Sequence, residues 1–217
     1  MKTVITIGRQ YGSGGRMIGK MLAESLGIPF YDKELITFAA EHSGLHEDVL
    51  KKVDEVPSNN FLYRFTGGYV GRVAGNVEQP LNDKVFVSMT KAIRELASES
   101  CVIVGRCGNY VLRDNPNALN VFIYGDQADR IAKVCRTEHV SEAKSKELIR
   151  KTDRARASYC RLYTDRKWGE RESYDVLMNS SVLGYEGTAA ALKKIVEEKE
   201  QKIPENESKT SDAGEQQ

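Results

Sequence analysis

Short runs of β-branched and aliphatic residues alternate along the chain with longer stretches in which apolar side chains recur every three or four positions. Val4, Ile5 and Ile7 form the first run, too short for a helix and typical of a buried parallel strand. It breaks into Gly12-Ser13-Gly14-Gly15, after which Ile18, Met21, Leu22 and Leu26 line one helical face that Gly27 ends. The pattern predicts a second strand at Ile28–Tyr31, then a helix over Leu35–Glu41 that opens on Asp32-Lys33-Glu34. A short polar helix is expected over His46–Glu55. Further on, Val85, Phe86, Met89, Ile93 and Leu96 mark a helix, Cys101–Val104 a continuous buried strand, and Gly105-Arg106-Cys107-Gly108 a turn. Ala118–Tyr124 reads as a strand, Ala128–Arg136 as a helix, and Ser141 as the cap of another helix. Asp175–Asn179 is the last expected strand and Thr188–Val196 the closing helix. Strands that alternate with helices call for an α/β fold, a parallel sheet of about five strands with helices on both faces.

The first strand, glycine turn and helix make a phosphate cradle. Gly12, Ser13, Gly14 and Gly15 let backbone amides converge on an anion, and the positive end of the helix dipole holds it. Arg16 sits in the first helical turn, where a cation costs roughly 0.3–1 kcal/mol unless an anion is bound. Asp32 closes the second strand, beside this turn in a parallel sheet, and can also cap the following helix. Between residues 130 and 171 arginines crowd the chain, among them Arg150, Arg154, Arg156, Arg161 and Arg166. Such a run is a solvated helix face or, because the guanidinium fork suits phosphate oxygens, a phosphate-clamping lid over about 137–171. Residues 57–79 mix aromatic residues with Gly67, Gly68, Gly71 and Gly75 and read as a hinged flap or a surface loop.

Composition narrows the class. The 217 residues are 40% hydrophobic and 29% charged, with a formal net charge of +1. That is enough core for a single domain over 1–199, and no overall field recruits a nucleic acid polymer or an anionic membrane. No apolar run approaches the ~18 residues of a bilayer span, and the N-terminus does not read as a secretory signal. Cys101, Cys107, Cys135 and Cys160 are widely spaced, which fits a reducing cytoplasmic setting. His42 and His46 lack companion ligands, so no metal-ligating set is expected. Residues 200–217 are polar and expected to be a disordered tail.

The order Ile5-Thr6-Ile7-Gly8-Arg9-Gln10-Tyr11-Gly12-Ser13-Gly14-Gly15-Arg16, Pro29-Phe30-Tyr31-Asp32-Lys33, Val102-Ile103-Val104-Gly105-Arg106, Asp153-Arg154-Ala155-Arg156 and Asp175 resembles the cytidylate kinase-like family of P-loop kinases. The likeness covers roughly residues 3–196. It implies a three-layer P-loop kinase fold with an arginine-rich helical lid. It also implies transfer of the γ-phosphoryl group of ATP, with Mg2+, to a small-molecule acceptor, above all a nucleoside monophosphate such as CMP or dCMP. On that resemblance Gly12 to Arg16 bind ATP, and Asp32, Lys33 and Arg106 bind the acceptor. Arg16, Asp32, Arg154 and Arg156 act on the moving phosphoryl group. Two departures stand out. The glycines are not followed by the lysine and hydroxyl of the standard phosphate loop, so Arg16 takes the lysine's charge and Ser13 or Asp126 holds the metal through water. Cys107 stands where cytidylate kinases carry an aspartate after Gly-Arg. The alternatives are a nucleotide- or phosphate-binding module without catalysis, and a kinase of a hydroxyl-bearing small molecule with Asp32 as base.

Overall fold

The computed structural model of the chain describes residues 2–43 and 81–212. Five strands, β1 (Val4–Arg9), β2 (Phe30–Tyr31), β3 (Val102–Val104), β4 (Ala118–Tyr124) and β5 (Val176–Asn179), form one parallel sheet in the order β2-β3-β1-β4-β5. The helices are α1 (Gly15–Leu26), α2 (Glu34–Ser43), α3 (Leu81–Leu96), α4 (Gly108–Val111), α5 (Gln127–Glu138), α6 (Glu142–Thr164) and α7 (Ser180–Asp212).

The period-two direction of β1 builds both cores at once. Ile5 and Ile7 point to one face with Val102, Val104, Val121 and Ile123, where Ile18 and Leu22 of α1 and Leu192 and Val196 of α7 cover them. Val4 points to the other face with Ile103, where Leu35 and Ile36 of α2 and Met89 and Ile93 of α3 pack. Three layers result, as the alternation of strands and helices predicts.

Local signals act as read. Gly27 ends α1 in the left-handed conformation at φ 66°, its N–H donating to the carbonyls of Ala23 and Glu24. The Ser141 hydroxyl accepts from Lys144 N at the start of α6. The last helix differs from expectation. It opens at Ser180, breaks at Gly184 (φ 67°, ψ −176°), and continues through the stretch expected to be a disordered tail as far as Asp212. Where that stretch begins it is held by a tertiary contact: the Glu200 carboxylate accepts the backbone N–H of Lys2 at 2.9 Å, that of Thr3 at 2.6 Å, and the Thr3 hydroxyl. Polar composition alone does not report such a clasp. The expected helix at 46–55 and flap at 57–79 lie outside the described residues. Among the described residues, no helix is long and apolar enough to cross a membrane.

Candidate active site

β1 is the switch point of the sheet. The chain leaves it for β2 and β3 on one side and returns to β4 and β5 on the other, which opens a crevice beyond its carboxyl end. Residues 10–14 lie there and lead into α1. Gly12 (φ 83°) and Gly14 (φ 77°) occupy backbone conformations that only glycine adopts without strain. Gly14 precedes the helix without any side-chain cap, and the first turn holds no acidic residue. The amide end of α1 therefore has no side-chain partner from its own helix cap.

One side of the turn is lined by protein. A Cβ on Gly14 would lie 2.3 Å from the ring of Tyr185, the residue that follows the break in α7. Lys133 sits over that ring at 5.4 Å. The Ser180 hydroxyl, 2.7 Å from Ser13 O and 3.0 Å from Tyr124 O, ties the turn to the end of β4.

A buried ion pair holds Tyr11 from the opposite side. Arg130 of α5 donates from Nε to Tyr11 O at 2.8 Å, and Asp153 of α6 accepts from Tyr11 N at 2.7 Å. Arg130 and Asp153 are salt-bridged, with side chains 9% and 17% exposed. Both backbone groups of one loop residue are thus held by a pair that spans two helices. The Tyr11 hydroxyl reaches Glu138 at 2.9 Å, and burial followed by that carboxylate pushes it up to about 12.

Arginines converge beside the cradle. Arg16 donates from Nε to Asp32 at 2.5 Å while its side chain stays half exposed, and Arg9, at the end of β1, lies 3.7 Å from the other Asp32 oxygen. Arg9 also fills the space beside Gly105, where a Cβ would meet its guanidinium. Arg156 of α6 donates to Arg9 O at 2.9 Å and lies over the Tyr11 ring at 5.8 Å. Burial works against its cation, Asp153, Asp32 and Tyr11 support it, and Arg106 opposes it. Arg106, half buried at the end of β3, is therefore within electrostatic reach of Arg156.

Of the residues predicted from sequence, Gly12, Ser13, Gly14, Gly15, Arg16, Asp32, Arg106 and Arg156 gather at this edge. Lys33 and Arg154 are exposed, and Arg156 is the lid arginine that turns onto the loop. Ser13 does not offer its hydroxyl to a metal. It is 1% exposed and donates to the carbonyls of Gln10 and Ile123, at 2.9 and 3.1 Å. Arg9, Tyr11, Arg130 and Asp153 were missed as site residues; Arg130 and Asp153 read in sequence as part of a charge run, either a solvated helix face or a phosphate-clamping lid, with Asp153 in the Asp-Arg-x-Arg stretch. The donor set suits an ion carried mainly by phosphate oxygens. Among the described residues no three His, Cys, Asp or Glu side chains are grouped, and Asp126 is an exposed carboxylate at the end of β4.

A glycine turn feeding a helix at the switch point of a five-stranded parallel sheet, flanked by arginines from strand ends and a lid helix, defines a P-loop kinase fold. A model of that fold class, the cytidylate kinase-like family, matches residues 4–182, and the chain belongs to this family. A crystal structure of an uncharacterized protein from Eubacterium ventriosum is similar over 90% of this chain and 98% of that one, with 28% identity and a TM-score of 0.67. Shikimate kinase from Bacteroides thetaiotaomicron shares the fold over 90% of this chain and 98% of its own, at 16% identity and a TM-score of 0.50. No curated protein matches in sequence.

Proposed function

We propose that this chain is an ATP-dependent phosphotransferase that moves the γ-phosphoryl group to a nucleoside monophosphate such as CMP or dCMP. The observation that carries the reading is the meeting of Arg9, Arg16 and Arg156, from three elements, beside the uncapped amide end of α1. Phosphoryl transfer needs positioning and charge neutralisation more than covalent chemistry. Backbone amides of Gly12 to Arg16 would hold the triphosphate, and Arg106 and Arg156 would face the acceptor phosphate. ATP bound there would supply the phosphoryl group, and phosphate oxygens with Asp126 through water would hold Mg2+, which would supply charge neutralisation. The Asp153–Arg130 pair keeps the loop backbone in place.

Asp32 separates the two acceptor classes. A phosphate acceptor attacks through an oxygen that is already ionised and needs no base, whereas a hydroxyl needs one within ~3 Å. The Asp32 carboxylate is committed to Arg16 and Arg9, which suits orienting these arginines better than taking a proton. Steady-state assays of Asp32→Asn test the choice. A loss of turnover below about 100-fold fits an orienting group; a general base is worth ~10²–10⁴. A second reading, a nucleotide-binding module without catalysis, is favoured by the engaged Ser13 hydroxyl and the missing lysine. Calorimetry with ATP and Mg2+, followed by an acceptor panel that includes CMP and dCMP, decides between them. Binding with turnover upholds the kinase; binding with no turnover on any acceptor leaves the module.

A further inference from the structure

The two flanks of the phosphate loop are charged differently. On the flank of β2 and β3, Arg16 donates to Asp32 at 2.5 Å and Arg9 lies 3.7 Å from the other Asp32 oxygen, so both guanidiniums share one carboxylate. Arg130 is salt-bridged to Asp153, and Lys20, one turn farther along α1, pairs with Glu24 at 3.7 Å. On the flank of β4 and β5, Lys133 of α5 has no ion pair among the described residues.

Two contacts bring Lys133 to the loop. At Gly12 a Cβ would lie 2.8 Å from Arg130 O and 3.1 Å from a Val134 methyl, so the turn of α5 that carries Lys133 packs against the loop backbone. At Gly14 a Cβ would lie 2.3 Å from the Tyr185 ring, and the Lys133 ammonium sits 5.4 Å from the centre of that ring. The cation is therefore placed between two glycines of the loop, resting on an aromatic face. A ring face attracts an ammonium but leaves its three N–H donors without an acceptor oxygen.

The standard phosphate loop carries its own lysine, which reaches the outer phosphates; this loop continues from Gly14 into Gly15 and Arg16. We propose that Lys133, reaching in from α5, supplies the cation that the loop lacks and binds the outer phosphates of ATP. Its flexible four-carbon stem suits an exchange of the Tyr185 ring for phosphate oxygens at the amide end of α1. The charge that the sequence leaves out of α1 is returned by a helix more than a hundred residues away. The assignment rests on the phosphotransferase reading, which puts the triphosphate at this turn.

Calorimetry of the full chain with ATP and Mg2+, repeated with tripolyphosphate, compares the wild type with Lys133→Met, Lys133→Arg and Lys194→Met. Lys194, on α7 and paired with Glu198 at 3.0 Å, controls for the loss of one positive charge. Lys133→Met should weaken both ligands by about 10–100-fold, the scale of one lost hydrogen bond to a charged group. Lys133→Arg should recover most of the affinity, and Lys194→Met should match the wild type. Without ligand, the melting temperature of Lys133→Met should stay within about 4 °C of the wild type, because folding loses only a partly exposed cation–π contact. In the wild type, ATP should slow acetylation of Lys133, read by mass spectrometry, and leave Lys194 unaffected.

Unchanged ATP affinity in Lys133→Met, or acetylation of Lys133 that bound ATP does not slow, overturns the assignment and leaves the phosphotransferase reading standing. The second of these needs no variant. An equal loss in Lys133→Met and Lys133→Arg overturns it too, since charge is then not what binds. A wild type that binds neither ATP nor tripolyphosphate retires the phosphotransferase reading and this assignment with it. Binding that depends on Lys133 in a protein that turns over no acceptor upholds the assignment and retires only the catalysis.

Discussion

Replacing Asp153 with alanine should be the most damaging single change at the phosphate loop. The side chain is 17% exposed, and its partner Arg130 is 9% exposed. Alanine would leave the Arg130 guanidinium buried without its counter-charge and Tyr11 N–H without its acceptor. Breaking a buried pair from one side costs about 3–5 kcal/mol, a range that already includes most of the penalty for the stranded donor. For a chain of this size, where each kcal/mol moves the midpoint by roughly 2–4 °C, the melting temperature should drop by about 6–20 °C. Removing the second charge as well, in Asp153→Ala/Arg130→Met, should restore part of the loss, because no buried cation then remains. Denaturant unfolding of the two single variants and the double variant gives the coupling energy directly. A single-variant cost under about 1 kcal/mol, the scale of an exposed pair, would refute the claim that this pair holds the loop. Strict additivity in the double variant would refute it too.

Two further outcomes follow from the same geometry. Gly14→Ala should abolish ATP binding in calorimetry and lower stability, since its Cβ would lie 2.3 Å from the Tyr185 ring at a φ of +77°; trimming Tyr185 to alanine as well should relieve the overlap but not the backbone strain. Glu200 is held below its usual value of 4.5, burial raising it but the Thr3 hydroxyl and the Lys2 and Thr3 amides lowering it by more. A depressed carboxylate contributes stability that is present above its unfolded value and lost as pH falls through the folded one. Acid titration below pH 4.5 should therefore release the first residues, read by amide exchange at Thr3 and Val4. Glu200→Gln should show faster exchange at neutral pH and a flatter acid limb.

Legibility followed the range of the interactions. β1, α1 and its Gly27 stop, β3, β4 and the Ser141 cap depend on neighbours a few positions away, so periodicity and capping chemistry reveal them. The glycine turn into α1 was equally legible, because Gly12 and Gly14 answer a local backbone demand. Arg130 and Asp153 were not. Their partner Tyr11 lies 119 and 142 positions away, and a one-dimensional pattern cannot separate a buried clamp from an ordinary charged helix face. Arg154 and Arg156 match the same lid motif, yet only the fold shows that Arg156 reaches Arg9 while Arg154 faces solvent. The clasp at Glu200 was hidden in the same way, since composition describes the chain and not the acceptor it provides for distant amides.

The clasp between Glu200 and Thr3 also constrains how the protein is made. β1 leaves the ribosome before the strands that flank it, and β3 and β4 follow about a hundred residues later. The apolar face of α7 that covers it arrives later still, and the carboxylate that fastens its start last of all. The strand must therefore wait, unpaired, until β3 and β4 are made, whereas a stop codon placed just before residue 200 would free only the Lys2 and Thr3 amides that Glu200 holds.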